Sequence, residues 1–358
     1  MLGLTRFNNT FFGQGCSGAG IDAGTAGHTF RIHKVFRLTS ADFGFKTTTI
    51  MQLRDPLHLP SLAAELGLEI IGDPSLLVTG INEIHKVVPG DLTYCDHPKY
   101  YPKALSSPAS VVLINNRMEC PPGKCLLVCD APFDVYNSLV RRYRPFSNPM
   151  GHQYHAGQDV EIGEDTVIMQ GVVLGDRVRI GRSCVIHPHV VIYADTIIGD
   201  RVVIHAGSIL GADAFYYKKR PNGSYDRLLS CGRVIVHDAV EIGAACTIDK
   251  GVSGDTILGE GTKLDNQVHL GHGVVVGKNC LIAAQVGVGG KTRIADGVCL
   301  WGQVGVQKDI DIGEGANVLG QSGVTKSIPG GKTYFGTPAR DVRDVHRETI
   351  GLRRLLEP

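Results

Sequence analysis

The sequence has almost no net charge and no long apolar run, and each absence excludes a class of function. Its 358 residues carry 36 lysines and arginines against 35 aspartates and glutamates. Without a basic excess, the chain has no overall field to attract nucleic acid or an anionic membrane surface. No apolar run approaches the roughly 18 residues that a membrane-spanning helix needs. We therefore expect no nucleic-acid partner and no integral membrane segment.

Closely spaced cysteine pairs are also missing. The chain has ten cysteines but no CxxC pair. Cys120, Cys125 and Cys129 lie near one another in sequence, yet they lack the usual spacing of zinc ligands. Cys246 and Cys280 fall on small positions of a repeat, where a compact buried side chain is required. This pattern indicates reduced, structural thiols in a cytoplasmic protein and no metal site.

What the sequence does contain is a six-residue period. Large aliphatic residues occupy every sixth position from Leu258 to Val324, and an earlier series runs from Ile162 to Leu210. A period of six is neither the helical 3.6 nor the strand period of 2, and it is typical of a solenoid. Three sixes close a triangular coil, so the aliphatic residues are expected to form columns inside a narrow prism. The sequence thus predicts a mainly β protein.

Two interruptions break the repeat. The longer one, residues 211–232, reads GADAFYYKKRPNGSYDRLLSCG and is polar and aromatic. The shorter one is a slip of register around Gly251–Asp255. Each coil of a solenoid contacts only its neighbours, so an insertion can leave the solenoid without damaging it. Loops that leave rigid scaffolds commonly carry function, which makes residues 211–232 a candidate functional element.

The chain divides into four segments. Residues 1–50 are loop-like and poor in acidic residues, and we interpret them as a dispensable extra segment: an over-extended gene start or an organelle transit segment. Residues 51–150 are expected to form an α/β domain, and residues 151–330 the solenoid. Residues 331–358 are an extension that ends in a basic amphipathic helix from about Val342 to Leu356.

The α/β domain shows short apolar strands and two helices. Strands are predicted at Leu76–Val78, Ser110–Ile114 and Leu126–Val128, with a late helix from Phe133 to Tyr143. An earlier helix starts near Pro60. The segment between residues 92 and 101 is interpreted as a loop that presents aromatic side chains around a proline turn.

The α/β segment, the GADAF loop and the segment LDNQVHLGH together resemble the UDP-3-O-acylglucosamine N-acyltransferases, a family of hexapeptide-repeat enzymes. The resemblance covers about residues 52–345. Many acyltransferases share the repeat, so the combination of the three features carries the specificity. The resemblance implies a left-handed parallel β-helix preceded by a small uridine-binding α/β domain. It also implies transfer of an (R)-3-hydroxyacyl group to the 2-amine of UDP-3-O-acylglucosamine, a step of lipid A assembly in Gram-negative bacteria.

The resemblance assigns the catalytic residues. His272, the last residue of LDNQVHLGH, matches the general base of the family, and a neutral imidazole near pH 7 suits removal of a proton from the attacking amine. Asp265 matches the carboxylate that orients and stabilises the imidazolium. The backbone N–H of Gly290, one coil after His272, matches the oxyanion donor. Asn266 and His269 of the same segment are expected to line the substrate site.

Further substrate contacts are implied in two loops. Tyr94, His97 and Tyr100 match a uridine clamp in which aromatic faces stack on uracil, with His97 in place of the usual asparagine. Asp213 and Phe215 of the GADAF loop are expected at the sugar and acyl sites.

Two departures from the family pattern leave the exact substrate open. The family sequence GADGFG is GADAFYY here, which places the bulk of Tyr216 where the family has glycine. A second histidine of the family aligns with Asp309. Both differences fall toward the sugar and acyl sites, so a paralogue that acts on a related nucleotide sugar remains an alternative.

The resemblance also implies the partners. The enzyme is expected to be a homotrimer with sites between its subunits, and to use acyl carrier protein and a UDP-sugar. It needs no cofactor, because the thioester on the 4'-phosphopantetheine of acyl carrier protein is the donor substrate.

Three other functions compete with this one. The O-acyltransferase that starts the same pathway lacks the N-terminal uridine domain. A zinc hydratase on the same scaffold needs three converging histidines, and only His269 and His272 are closely spaced. A non-catalytic, sugar-binding solenoid would leave the LDNQVHLGH segment without a purpose.

Overall fold

The computed structural model describes residues 51–144 and 153–356, and it divides into two compact units with the boundary at Pro145–Phe146. The prediction that residues 1–50 are dispensable lies outside the described residues.

The first unit is a six-stranded mixed sheet with helices. Its strands are β1 Gln52–His58, β2 Glu69–Gly72, β3 Leu77–Ile81, β4 Asp91–Cys95, β5 Val111–Ile114 and β6 Cys125–Val128. Its helices are α1 Leu59–Leu66, α2 Tyr101–Ser106 and α3 Pro132–Tyr143, with a 3-10 turn at Pro98–Tyr100. The strand order is β1-β3-β4-β5-β6-β2, with a parallel centre and an antiparallel strand at each edge. The central strand β5 is entirely buried, as expected for a strand covered on both faces.

The segment predicted as a loop from residue 92 to 101 is mostly regular structure. Tyr94 lies in β4, and the 3-10 turn Pro98–Tyr100 leads directly into α2. The strand was missed because its polar residues Asp91 and Thr93 look like loop residues, yet both are buried. Asp91 Oδ2 accepts a hydrogen bond from the Val88 N–H at 2.8 Å, which stabilises the turn before the strand.

The second unit is a parallel β-solenoid of three faces. The first face comprises His155–Ala156, Val173–Leu174, Val191–Ile192, Ile209–Ala212, Thr247–Asp249, His269–Leu270, Gly287–Val288, Gly305–Val306 and Gly323–Val324. The second face comprises Glu161–Ile162, Arg179–Ile180, Ile197–Ile198, Arg233–Val236, Asp255–Leu258, Val275–Val276, Arg293–Ile294 and Asp311–Ile312. The third face comprises Val167–Ile168, Val185–Ile186, Val203–Ile204, Glu241–Ile242, Lys263–Leu264, Leu281–Ile282, Cys299–Leu300, Asn317–Val318, Thr333–Phe335 and Arg340–Asp341.

The six-residue period predicted this architecture, and the strand pairing confirms it. Leu270 pairs with Val288 and then with Val306 through consecutive coils of the first face. These residues belong to one continuous buried cluster that runs through the solenoid. Inward aliphatic columns exclude water from the interior, which is the main stabilising contribution in such a stack.

Both interruptions leave the solenoid at the same corner. Residues 211–232 and 249–254 connect the first face to the second in consecutive coils, and we call this corner, with residues 271–274, 289–292 and 307–310 below it, the insertion corner. The longer insertion contains an antiparallel hairpin, Tyr217–Lys219 with Tyr225–Arg227. The shorter insertion stabilises the base of the longer one, because Val252 O accepts a hydrogen bond from the Cys231 N–H at 2.7 Å.

The corner between the third and first faces carries a ladder of glutamines. Gln267, Gln285, Gln303 and Gln321 follow one another in successive coils, and their side-chain amides form hydrogen bonds of 2.8, 2.7 and 2.9 Å. Each of the four has a φ near +60°, the left-handed turn conformation that recurs at the corners. We call this corner the amide corner.

The C-terminal end of the solenoid is closed by a turn and a helix. The strands Thr333–Phe335 and Arg340–Asp341 pair antiparallel, and helix α4 follows at Val342–Leu356, as predicted. Tyr334 is buried at the end of the core, and its hydroxyl donates to Pro329 O at 2.8 Å. Within residues 51–144 and 153–356, no helix combines the length and the apolar character needed to cross a bilayer.

Candidate active site

His272, Gly290 and Lys308 lie above one another at the insertion corner. Each follows a buried aliphatic residue of the first face by two positions, so the regular coil places them on a single edge. His272 and Gly290 are half-buried, and Lys308 is exposed. The structure thus brings together two of the three residues that the resemblance assigned to catalysis.

The imidazole of His272 occupies space that a side chain at position 290 would need. A Cβ added to Gly290 would lie 2.7 Å from Nε2 and 2.8 Å from Cδ2 of His272. Real Cβ contacts are not that short, so only glycine allows this position of the imidazole. The Nε2 edge of the ring therefore faces the Gly290 backbone.

The Gly290 N–H is free because of the residue one coil further on. At the equivalent position of several other turns of the solenoid, the N–H donates to a side-chain oxygen of the next coil. The pairs are Gln158–Asp176, Arg182–Asp200, Ala244–Asn266 and Lys278–Asp296. At Gly290 the next coil supplies Lys308, whose ammonium group has no acceptor. No described residue accepts a hydrogen bond from Gly290 N–H. A free donor thus lies beside the imidazole.

Burial and two lysines tune His272. Burial lowers the pKa of His272, and the positive charges of Lys291 and Lys308 lower this pKa further. A lowered pKa keeps the imidazole neutral at pH 7, and the neutral form is the one that accepts a proton. No described residue forms a hydrogen bond with the imidazole. The ring packs against Tyr216, with 5.9 Å between the ring centroids and 69° between the ring planes.

Asp265 and Asn266 lie at the amide corner, away from His272. Asp265 Oδ1 accepts a hydrogen bond from the Asn266 N–H at 2.7 Å, and Asn266 Oδ1 accepts one from the Ala244 N–H at 2.8 Å. The strand His269–Leu270 separates this corner from the insertion corner. The structure does not bring Asp265 to His272 within one protomer, so the orienting role of Asp265 stays a prediction.

His269 and Asp249 form a second polar cluster on the first face. His269 is exposed, and its Nδ1 lies 2.8 Å from Thr247 Oγ1 in the preceding coil. Asp249 is buried, and this burial raises the pKa of its carboxyl group, while the charge of His269 acts in the opposite direction. Sequence reasoning missed Asp249. The signal was a carboxylate directly after the core residue Ile248, at a position where many other coils have glycine.

Asp213 and Phe215 have different surroundings at the base of the hairpin. Asp213 lies 2.9 Å from Lys250 Nζ and 3.3 Å from Arg227 Nη1, and the hydrogen bond from Lys250 lowers the pKa of Asp213. Phe215 is 84% exposed, and its ring contacts Tyr217 at 5.0 Å between centroids. Asp213 therefore holds the loop to the solenoid, whereas Phe215 is free to meet a ligand.

Two of the cavities on the solenoid are lined by residues predicted from the sequence to form the site. One, of about 760 Å³, is lined by the hairpin aromatics and a lysine of the insertion corner: Phe215, Tyr216, Tyr217, Tyr225 and Lys308. The other, of about 490 Å³, lies on the third face, beside Asp265, Asn266, Leu281 and Trp301. The first cavity shares Tyr216 with the His272 contact, so it adjoins the candidate base. A smaller cavity of about 310 Å³, lined by Gly273, Lys291 and Asp309 among others, lies at the same corner.

Asp309 occupies the position at which the resemblance expects a second histidine. It follows Lys308 at the insertion corner, and its N–H donates to Gly290 O at 2.9 Å. Its φ of +62° is a left-handed turn conformation. The departure therefore leaves the backbone around Gly290 regular.

In the α/β unit, the three predicted uridine contacts fall into two groups. Tyr94 is half-buried, and its ring contacts Phe133 at 5.7 Å and Tyr136 at 4.9 Å between centroids. Tyr100 is 50% exposed and lies against the His97 ring at 5.8 Å. No ring contact between Tyr94 and Tyr100 is present in the described residues.

His97 and Phe133 complete this region. His97 Nδ1 accepts a hydrogen bond from the Lys99 N–H at 3.2 Å, which leaves Nε2–H as a donor for a ligand. Phe133 is 50% exposed beside Tyr94, and sequence reasoning missed it. The signal was an aromatic residue directly after Pro132, in the first turn of a helix, where a side chain is easily left open to solvent.

In the described part of the chain, no three histidine, cysteine or carboxylate side chains converge closely enough to hold a metal ion.

Comparison of the sequence with protein-family models finds matches in both units. Residues 75–142 match the family described as UDP-3-O-(3-hydroxymyristoyl) glucosamine N-acyltransferase, LpxD. Residues 177–212 and 255–290 match the bacterial transferase hexapeptide repeat.

Curated relatives extend the match over most of the described chain. UDP-3-O-acylglucosamine N-acyltransferase of Campylobacter lari is 40% identical over 243 residues, which cover 64% of this chain and 76% of the relative. The enzyme of that name in Sinorhizobium fredii is 58% identical over 139 residues, 39% of each chain. Among solved structures, LpxA of Bacteroides fragilis, a UDP-N-acetylglucosamine acyltransferase, is 21% identical with a TM-score of 0.49, over 57% of this chain and 78% of that one. From its match to relatives over most of their length, the chain belongs to the UDP-3-O-acylglucosamine N-acyltransferase family, a family of acyltransferase enzymes.

Proposed function

We propose that this chain transfers an (R)-3-hydroxyacyl group from acyl carrier protein to the 2-amine of UDP-3-O-acylglucosamine, with His272 as general base. The acceptor is the one in the names of its relatives. The observation that carries the proposal is the pairing at the insertion corner of a half-buried imidazole of lowered pKa with a free backbone donor, Gly290 N–H.

The proposed reaction is a direct acyl transfer. The amine nitrogen attacks the thioester carbonyl carbon while His272 Nε2 takes the proton that the amine loses. The carbonyl oxygen becomes an oxyanion and accepts a hydrogen bond from Gly290 N–H. The C–S bond then breaks, and the imidazolium returns the proton to the departing thiolate. The products are the N-acylated sugar and the free thiol of the carrier protein.

Lys291 and Lys308 favour both steps. Their charges lower the pKa of His272, so the base is neutral before the reaction starts. The same charges stabilise the negative oxyanion as it forms, since fixed positive charge acts strongly in a partly buried site. Because its pKa is lowered, the imidazolium that forms beside them is more acidic than an ordinary imidazolium, which favours protonation of the thiolate.

We further propose that the enzyme is a homotrimer in which Asp265 of one protomer approaches His272 of the next. Within a protomer, Asp265 lies at the other corner of the first face. Beside it lie Leu281 and Trp301, which are 51% and 49% exposed. An apolar surface of this kind is characteristic of a contact with another subunit, and closed symmetry is the usual outcome for identical chains.

The α/β unit is proposed to bind the uridine of the acceptor. Tyr100 offers an exposed face for uracil, and His97 Nε2–H offers a donor for a uracil carbonyl. Tyr94 and Phe133 form a second aromatic surface.

The reaction needs no resident cofactor, because the thioester of the donor carries the activated acyl group. We place it in lipid A assembly in the cytoplasm. The cysteines support a reducing compartment, since all nine in the described chain are free thiols.

The test is product mass spectrometry with UDP-3-O-acylglucosamine and a panel of hydroxyacyl carrier proteins. The expected product is the N-acylated sugar, and His272→Ala should reduce kcat at least about a hundredfold, the low end for loss of a general base. His269→Ala, the matched change three residues earlier, should reduce it much less. A His272→Ala variant that retained more than a tenth of the activity, or a more damaging His269→Ala, would assign the base to the wrong residue.

Tyr216 favours one variation on this function. Its ring adjoins His272 where the resemblance expects glycine. A related nucleotide sugar as the preferred acceptor is therefore the second candidate, and the same assay with other UDP-amino sugars distinguishes the two.

A further inference from the structure

Tyr216 lies on the hairpin insertion with its backbone fixed on both sides. Its N–H donates to Ala214 O and its carbonyl accepts from Leu228 N–H, each at 2.9 Å. Ala214 is buried, and its N–H donates to Ser230 Oγ at 3.1 Å. The backbone hydrogen bonds of the insertion therefore fix the position of Tyr216, independently of the contacts that its ring makes.

The ring of Tyr216 contacts two groups of the insertion corner. It meets the His272 imidazole in an edge-to-face arrangement, and Lys291 Nζ lies 6.0 Å from its centroid. The tyrosine hydroxyl has no hydrogen-bond partner in the described residues, and Tyr216 as a whole residue is 42% exposed. The contacts of the side chain are thus made by the aromatic face and edge.

No hydrogen bond within the described chain fixes the orientation of the His272 imidazole. Its Nε2 edge faces the space that a Cβ at Gly290 would occupy. A base that acts at Nε2 must be held in orientation, because a misplaced ring loses the alignment on which proton transfer depends.

We propose that Tyr216 is a positioning residue of this chain: its ring holds the His272 imidazole against the Gly290 backbone with Nε2 toward the reacting groups. The inference rests on the proposed function of His272 as general base. The ring also covers the imidazole from water. Burial is the main cause of the lowered pKa of His272, and the charges acting on this histidine, Lys291 and Lys308, have the same sign. Loss of the ring would therefore admit water and raise the pKa of His272.

The experiment follows His272 itself as well as activity. Histidine labelled with ¹³C at Cε1 gives a titration for each imidazole, and the His272→Gln spectrum assigns the signal of His272. In Tyr216→Leu, which fills similar space without an aromatic ring, and in Tyr216→Ala, the midpoint should move up toward the ordinary imidazole value. Their kcat at the plateau pH should fall about two- to tenfold, the rate equivalent of one aromatic contact, with a smaller change in KM.

Two further variants make the result specific. Tyr216→Phe retains the ring and should titrate and turn over within twofold of wild type. Tyr225→Ala removes an exposed aromatic of the same hairpin that has no ring contact with His272, and it should leave the His272 titration unchanged. The inference is overturned if Tyr216→Leu and Tyr216→Ala titrate like wild type, or if Tyr216→Phe is as damaging as they are.

The titration separates this inference from the proposed function. If His272→Ala were active, the general-base assignment would fail, while the response of the His272 signal to Tyr216 variants would still show whether the ring controls the imidazole. If His272→Ala were inactive and the signal did not respond, only the positioning role would fail.

Discussion

Nε2 of His272 lies 2.7 Å from the point where a Cβ of residue 290 would be. The first prediction follows from this distance. Gly290→Ala should displace the imidazole and reduce kcat at least about tenfold, because proton transfer depends on the orientation of the base. The measurement is steady-state kinetics, with circular dichroism to confirm the fold. Gly305→Ala is the matched control, since a Cβ there meets nothing within 4 Å; equal losses in the two variants would contradict the steric argument.

The pH dependence of kcat/KM should have an acid limb below the ordinary imidazole pKa of about 6.5. The sign is fixed by the shift: burial, Lys291 and Lys308 all lower the pKa of His272, so the neutral base persists to lower pH. Activity should therefore rise with pH through this lowered pKa and then level off.

Removing the lysine charges should move that limb in a defined direction. Lys308→Met and Lys291→Met each take away a positive charge that lowers the pKa of His272, so the acid limb should shift to higher pH. Lys326→Met, one coil beyond Lys308 on the same corner, is the control and should leave the limb in place. A shift to lower pH in the Lys308 variant would show that His272 is not the group that titrates.

Tyr100→Ala should weaken binding of the UDP-sugar without changing the chemical step. A lost aromatic contact is worth about 0.5–1.5 kcal/mol beyond area burial, which corresponds to a rise of roughly three- to tenfold in KM. Phe133→Ala should act in the same direction through the second aromatic surface. Phe335→Ala, an exposed aromatic at the far end of the solenoid, is the control. A Tyr100→Ala variant with lower kcat and unchanged KM would contradict the nucleotide-binding role.

Asp213→Ala should release the hairpin from the solenoid. Asp213 lies 2.9 Å from Lys250 and 3.3 Å from Arg227, and it joins the loop base to the shorter insertion. Limited trypsin digestion should then cut faster after Lys218 and Lys219, and kcat should fall severalfold as Tyr216 loses its place. Glu260→Ala, which breaks the pair with Lys278 at the corner between the second and third faces, should leave the hairpin resistant. Unchanged digestion of the Asp213 variant would show that backbone contacts alone fix the loop.

The sequence predicted the solenoid well because its signal is repeated in every coil. Each buried aliphatic such as Leu270 has a counterpart six residues away, so errors at one position are corrected by the others. The strand β4 was missed for the opposite reason: it occurs once, and its buried Thr93 and Asp91 have the composition of a loop. Helix α4 was found because its amphipathic period is local.

The candidate site was predictable only in part. Motif spacing placed His272 and Gly290 on one edge, since a regular coil converts a fixed sequence separation into adjacency. It could not show that Asp265 belongs to another corner, because a spacing of seven residues crosses a strand and its direction depends on the turn. The contact of Tyr216 with His272 was also beyond sequence reasoning, because the path of an insertion is set by tertiary packing.

Both insertions leave the solenoid at one corner. The residues proposed for the chemistry and the residues that face the substrate therefore belong to different parts of the fold. His272 and Gly290 belong to the regular coils, and their separation is set by the strand spacing of the stack. The hairpin that faces them can change in length, charge or bulk without altering that separation, because it leaves between one strand and the next. Substitutions in residues 211–232 can therefore change the surface that faces His272, while the spacing of His272 and Gly290 is retained with the scaffold.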